Sequence, residues 1–110
     1  MAVAMPPVVQ RYFDADAERN IDAIIALFSD DATVIDEGRE RNGTAEIREW
    51  QTGPASDYEY RVTIIDVESL GEDRFRVTAR LEGNFPGGIA ELKFDFALQG
   101  SQISYLEIVP

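Results

Sequence analysis

The sequence contains no histidine and no cysteine, so imidazole and thiolate chemistry are both absent. Proton transfer must fall to Asp, Glu, Tyr, Arg or the single lysine, Lys93. Three residues draw notice by position. Asp36 ends one face of the strand 32–37, in which period-two alternation puts Ala32, Val34 and Asp36 together. A carboxylate on the core side of a strand is partly desolvated and is a candidate general base. The competing reading is that Asp36 lies just past the apolar face and only opens the polar loop behind it. Tyr12 shares a helical stripe with Val8 and Val9, so its ring is expected in the core while its hydroxyl needs a partner. It reads equally as an ordinary core tyrosine. Asp16 lies one turn further along, where an apolar residue is expected; it either lines a cavity or ends a helix in solvent.

The balance of the composition narrows the chemistry. The chain of 110 residues is 45% hydrophobic and carries 21 acidic against 10 basic side chains, a net charge of −11. A polyanion repels such a surface, and no basic stripe offsets it, so neither nucleic acid nor an anionic membrane is an expected partner. A folded chain of this mass exposes roughly 6,100 Å², enough burial for one core but not two. One domain over residues 1–110 is expected. No apolar run approaches a membrane span, and the first residues lack a signal-peptide pattern, so a cytoplasmic protein is expected. There is no glycine-rich nucleotide loop. Asp30, Asp31, Asp36 and Glu37 lack the alternating spacing and central glycine of a calcium loop. No cofactor and no metal are expected.

The elements that must position these groups follow from periodicity. Pro6 and Pro7 suit a first helical turn, and Val8, Val9, Tyr12, Phe13 and Ala15 recur at helical spacing up to Asn20. Residues 21–28 form a second, short apolar helix, Ser29-Asp30-Asp31 breaks it, and 32–37 is a strand. A polar loop over 38–43 leads to a helix over 44–51, capped by Thr44, with Ile47 and Trp50 buried. Strands follow over 58–70, 74–82, 89–98 and 103–109, separated by turns rich in Gly and Pro. Phe75, Val77, Ala79 and Leu81 point inward, as do Ala90, Leu92, Phe94, Phe96 and Leu98. Arg74, Arg76 and Arg80 share the outer face of one strand, either paired with neighbouring acids or part of a subunit contact, and Asp95 is a solvated outer charge. The face of Glu107 stays open. The order α-α-β-α-β-β-β-β describes an α+β fold, a curved antiparallel sheet wrapped around three N-terminal helices.

Three segments carry a resemblance: Val8-Val9-Gln10-Arg11-Tyr12, the run from Ile25 to Val34, and the run from Gly43 to Trp50. Together they resemble the bacterial ketosteroid isomerases and, more broadly, the nuclear-transport-factor-2-like superfamily of cone-shaped α+β barrels, which includes SnoaL-like polyketide cyclases. The resemblance covers nearly the whole chain in order.

It implies a cone-shaped sheet and cofactor-free proton transfer, an allylic isomerisation of a small apolar carbonyl compound or steroid-like ligand in an internal pocket. In those isomerases a first-helix tyrosine donates to the carbonyl oxygen, an aspartate at the end of the first strand carries the proton, and a neutral carboxylic acid shares the oxyanion hole. By resemblance Tyr12 is the donor and Asp36 the base. Asp16, Phe28, Val34, Trp50, Val77, Ala79, Leu81, Phe94 and Phe96 are expected to line the pocket. The sequence departs from the pattern at Phe94, where the acid is expected, and at Gln51, where a tyrosine is frequent. Such a pocket could instead hold a hydrophobic ligand without turnover, serve SnoaL-like cyclase chemistry, or be filled in an interaction domain. A homodimer through the outer sheet face is implied in each case.

Overall fold

The structure is a computed structural model that describes residues 4–53 and 59–110. Helix α1 (Pro7–Ala17) starts on the proline pair and buries Val8, Val9, Tyr12, Phe13, Ala15 and Asp16 along one stripe. It ends in a Schellman arrangement: the Arg19 N–H donates to the Asp16 carbonyl and the Asn20 N–H to the Ala15 carbonyl. Arg19 occupies the left-handed position there, at φ 52°. Helix α2 (Ile21–Ala26) is capped by Asn20, whose side-chain oxygen accepts the Ala23 N–H at 3.1 Å.

Strand β1 (Phe28–Asp36) begins earlier than expected, absorbing both Phe28 and the predicted breaker. The breaker is realised as a bulge. Between Phe28 and Thr33 the strand advances five residues while its partner advances only from Ile103 to Tyr105. Asp30 and Asp31 are thereby turned out to solvent, and Ala32 and Val34 return to the core.

The predicted loop over 38–43 is also corrected. It contains a four-residue edge strand, β2 (Arg39–Asn42), antiparallel to β1. A two-residue turn joins them, and both its residues have positive φ, 54° at Glu37 and 75° at Gly38. That geometry matches the right-handed twist of a hairpin. Helix α3 (Gly43–Thr52) begins a residue sooner than expected. Its cap position is Asn42 rather than Thr44, and the Asn42 N–H donates to Glu46 Oε1 at 2.9 Å.

Strands β3 (Tyr60–Gly71), β4 (Arg74–Gly83), β5 (Ile89–Gln99) and β6 (Gln102–Val109) form a meander. Tyr58, placed in the first of them from sequence, lies outside the described residues. The sheet order is β2-β1-β6-β5-β4-β3. Every neighbouring pair is antiparallel except β1 and β6, which run parallel, so the expected antiparallel sheet is a mixed one. Its two edges, β2 and β3, do not pair, and the sheet stays open. Register shifts at Ile65 in β3 and Ser104 in β6 each insert one extra residue, bending the strands around the helices. No helix among the described residues is long and apolar enough to cross a membrane.

Alternation along β4 and β5 places Val77, Ala79, Leu81, Phe94 and Phe96 inside. Tyr12 and Phe13 meet Phe28, Phe94 and Phe96 edge to face, with ring centroids 5.2–6.1 Å apart. Each such pair contributes about 0.5–1.5 kcal/mol beyond area burial. Outside, Arg76 donates to both carboxylate oxygens of Asp95, at 2.7 and 2.9 Å. Asp95 is therefore a paired, largely covered charge rather than a solvated one. Glu107 faces the same way, opposite Asp95, and accepts the Tyr105 hydroxyl at 2.7 Å.

The β1–β2 turn yields the first prediction. A Cβ on Gly38 would meet no atom within 4 Å, so its cost is purely conformational. Gly38→Ala should destabilise the protein by about 1–2 kcal/mol in thermal or urea unfolding. Glu37→Asn, which tolerates positive φ, should shift the midpoint in the opposite direction.

Candidate active site

Between the helices and one end of the sheet lies a cavity of about 280 Å³. Its wall contains Tyr12, Asp16, Asp36, Trp50, Leu81 and Phe94, all anticipated from sequence, together with Glu37, Gln51, Tyr60, Phe85, Ala90, Leu92 and Ile108. Phe28, Val34, Val77, Ala79 and Phe96 were expected to line it but belong to the solid core instead. The reason is depth along the strands. Leu81 pairs with Ala90 and Tyr60 with Gly83, at the end where the hollow opens, whereas Phe75 pairs with Phe96 at the far end.

Asp36 is positioned from two sides. Strand β1 carries it on the inner face after Val34, and the Trp50 indole N–H of α3 donates to its Oδ2 at 3.0 Å. Trp50 is itself buried, so its indole N–H requires an acceptor. Oδ1 accepts no hydrogen bond among the described residues, which leaves it available to a ligand.

Tyr12 enters from α1 with its ring fixed by Phe13, Phe28 and Phe96. Burial pushes its phenol well above the ordinary range, and the nearby Asp16 and Asp36 carboxylates act in the same direction. The Gln51 side chain opposes them by favouring the phenolate. The net result is a phenol that stays protonated and can donate.

Behind Tyr12 lies a second polar group. Asp16 accepts from Arg19 Nη1 at 2.9 Å and from the Tyr60 hydroxyl at 3.1 Å. It lines the cavity, but both its oxygens are engaged. Burial raises its pKa, opposed by the Tyr60 hydrogen bond and by the Arg19 charge. Tyr60 is pushed well up, first by burial and then by Asp16. Gly83 lets β4 run close against this residue: a Cβ there would fall 2.7 Å from Tyr60 Cβ. Arg19 also reaches α3, where Nη2 donates to the Gln51 carbonyl at 2.9 Å and Nη1 to Gln51 Oε1 at 3.3 Å.

Sequence reasoning missed Tyr60 and Gln51 as wall residues. Tyr60 carried a usable signal, since β3 alternation puts it in phase with Val62 and Ile64. Among the described residues no group of three His, Cys, Asp or Glu side chains is disposed to hold a metal ion.

The SnoaL-like domain family matches residues 9–101. The chain belongs to the SnoaL-like family. Its solved relatives share the fold at length. A candidate polyketide cyclase from Sinorhizobium meliloti is 31% identical, with 96% of this chain and 95% of that one covered and a TM-score of 0.88. The Δ5-3-ketosteroid isomerase from a Mycobacterium species is 18% identical, with 94% and 89% covered and a TM-score of 0.78. A Mycobacterium tuberculosis protein in complex with estradiol-17β-hemisuccinate is 15% identical, with 94% and 90% covered and a TM-score of 0.79. At such identities the last two show the fold alone. In this SnoaL-like chain Phe94, half-way along β5, is an apolar part of the cavity wall.

The raised Asp16 pKa makes a signed prediction. A carboxyl whose folded pKa exceeds its unfolded value stabilises the fold fully below the unfolded value, and loses that contribution as pH rises through the folded one. Asp16→Asn should therefore gain stability relative to the parent as pH rises from about 4, levelling off once Asp16 is ionised in the fold. Urea midpoints across pH 3–8 check this, and a difference that stays flat contradicts it.

Proposed function

We propose that this cavity binds a small, neutral, apolar carbonyl compound and moves a proton beside its carbonyl group without a cofactor. Asp36 removes the proton from one carbon and returns it to another. Tyr12 donates a hydrogen bond to the oxygen as negative charge develops on it. The observation that carries this reading is the placement of Asp36: a carboxylate oxygen anchored by Trp50 and its fellow left open, in a largely apolar wall that also holds a protonated phenol. A base must be held within hydrogen-bond reach of the carbon acid and kept from wandering, and the indole bond supplies that restraint. A ketosteroid isomerase from Mycobacterium and a Mycobacterium tuberculosis protein in complex with estradiol-17β-hemisuccinate share this fold. That supports ketosteroid-like isomerisation as the leading version.

Phe94 favours a second reading. An apolar side chain in the wall offers no donor, and removing one oxyanion donor typically weakens the transition state by ~3 kcal/mol. On that reading the cavity holds a hydrophobic ligand without turnover. Cyclase chemistry of the SnoaL type would use the same base and donor on a longer carbonyl substrate, in keeping with the relative at 31% identity. One domain over residues 1–110, acting as a homodimer through the outer sheet face, completes the proposal.

The test is conversion of a β,γ-unsaturated ketone to its conjugated isomer, followed by ultraviolet absorbance, with solvent deuterium exchange into the ligand measured in parallel. Asp36→Asn should lower kcat by about 10²–10⁴-fold. Tyr12→Phe should lower it by about 10²–10³-fold with little change in KM. Equal turnover and exchange in the parent and Asp36→Asn would remove Asp36 from the mechanism. Tight binding without exchange in the parent would favour the non-catalytic reading.

A further inference from the structure

We propose that Gln51 is a second hydrogen-bond donor to the ligand oxygen, its side chain lining the same cavity as Tyr12. This rests on the reading of the cavity as a carbonyl site and names a group within it that would share the developing negative charge with Tyr12.

Gln51 is fully buried near the end of α3, in the cavity wall. Among the described residues its Nε2 is the one buried side-chain nitrogen or oxygen with no hydrogen-bond partner. A buried donor left unpaired is costly and calls for a reason. The amide cannot relieve this by flipping. Arg19 Nη1 donates to Oε1 at 3.3 Å, and rotating the amide would set its NH₂ against the guanidinium. Nε2 is thus held on the side of the amide away from Arg19, in the wall that Gln51 shares with Tyr12. A ligand oxygen seated in this cavity is the acceptor that Nε2 lacks.

The support behind Gln51 is itself built at a cost. Arg19 stands in the left-handed region at φ 52°, the helix-terminal position that glycine fills most easily. Retaining arginine there makes sense through its side chain, which spans the Asp16 carboxylate and both the carbonyl and Oε1 of Gln51. A cation on Oε1 also withdraws electron density from the amide and strengthens the Nε2–H donor. The opposite wall supplies nothing equivalent, since Phe94 is apolar.

The experiment is a binding titration with substituted naphthols of graded acidity, with naphthalene as the apolar control. The bound phenolate is read from its absorption band, and parent, Gln51→Met, Gln51→Leu and Asp36→Asn are compared. Both Gln51 variants should bind the most acidic naphthol about 10–100-fold more weakly, keep naphthalene affinity, and show less bound phenolate. Their Tm should equal or exceed that of the parent, because an apolar group replaces an unpaired amide. Asp36→Asn should retain naphtholate binding. The proposal is overturned if naphthol and naphthalene weaken together, if neither affinity nor ionised fraction changes, if the parent binds no naphthol, or if both Gln51 variants unfold. Gln51-dependent naphtholate binding in a protein that shows no proton exchange would refute the proton-transfer reading and leave this one standing.

Discussion

The indole N–H of Trp50 and the carboxylate of Asp36 come from different elements, and each supplies what the other lacks. A buried indole needs an acceptor, and a carboxylate at the rim of an apolar hollow needs a donor. Their 3.0 Å hydrogen bond ties the end of β1 to the interior face of α3. A bond of this kind to a charged group contributes about 1.5–3 kcal/mol. It also constrains the segment between them. The two-residue turn with both φ values positive sends β2 straight back along β1, and α3 follows from Gly43 with no intervening loop. Lengthening that turn would slide Trp50 relative to Asp36, so the tight hairpin and the site geometry are one requirement.

Departures from local rules gather in the same region. Glu37 and Arg19 hold positive φ, Asp16 is a carboxyl buried inside a helical stripe, and Gln51 carries an unpaired buried nitrogen. Three of the four are in the cavity wall, and Arg19 braces two of them. The outer sheet face, by contrast, keeps to ordinary cross-strand pairing, as between Arg76 and Asp95. Departures of this kind gathered around one hollow are the pattern expected where geometry is held for binding or chemistry.

Much of this was legible in the residues. Alternation in β4 and β5 identified the inner faces, the stripe in α1 identified Tyr12 and Asp16, and the phase of β1 put Asp36 beside Val34. What was not legible has physical causes. Strand β2 is Arg39-Glu40-Arg41-Asn42, an edge strand with no apolar face, so no hydrophobic alternation marks its pairing with β1. The bulge at Asp30 and Asp31 looks like a break because its side chains do leave the sheet. The parallel β1–β6 pairing is tertiary and has no local signature. Alternation also assigns a face but not a depth. Val77 and Leu81 share a face, yet only Leu81 reaches the hollow.

The electrostatics of the wall follow from the same choice of residues. Asp16, Asp36 and Glu37 are its acids, and Tyr12, Tyr60, Trp50 and Gln51 are donors that carry no charge. Acidic neighbours strengthen the hold of Tyr12 and Tyr60 on their protons, so the phenols remain donors. A wall of this composition, in a chain of net charge −11, does not attract a ligand that is already anionic. Had lysine or arginine pointed into the hollow, carboxylates would bind in the ground state and gain little more in the transition state. Neutral donors fixed in place instead discriminate by timing: they hold an uncharged carbonyl weakly and strengthen as charge reaches the oxygen. Arg19 stands behind Gln51 and acts on the cavity through the amide it orients.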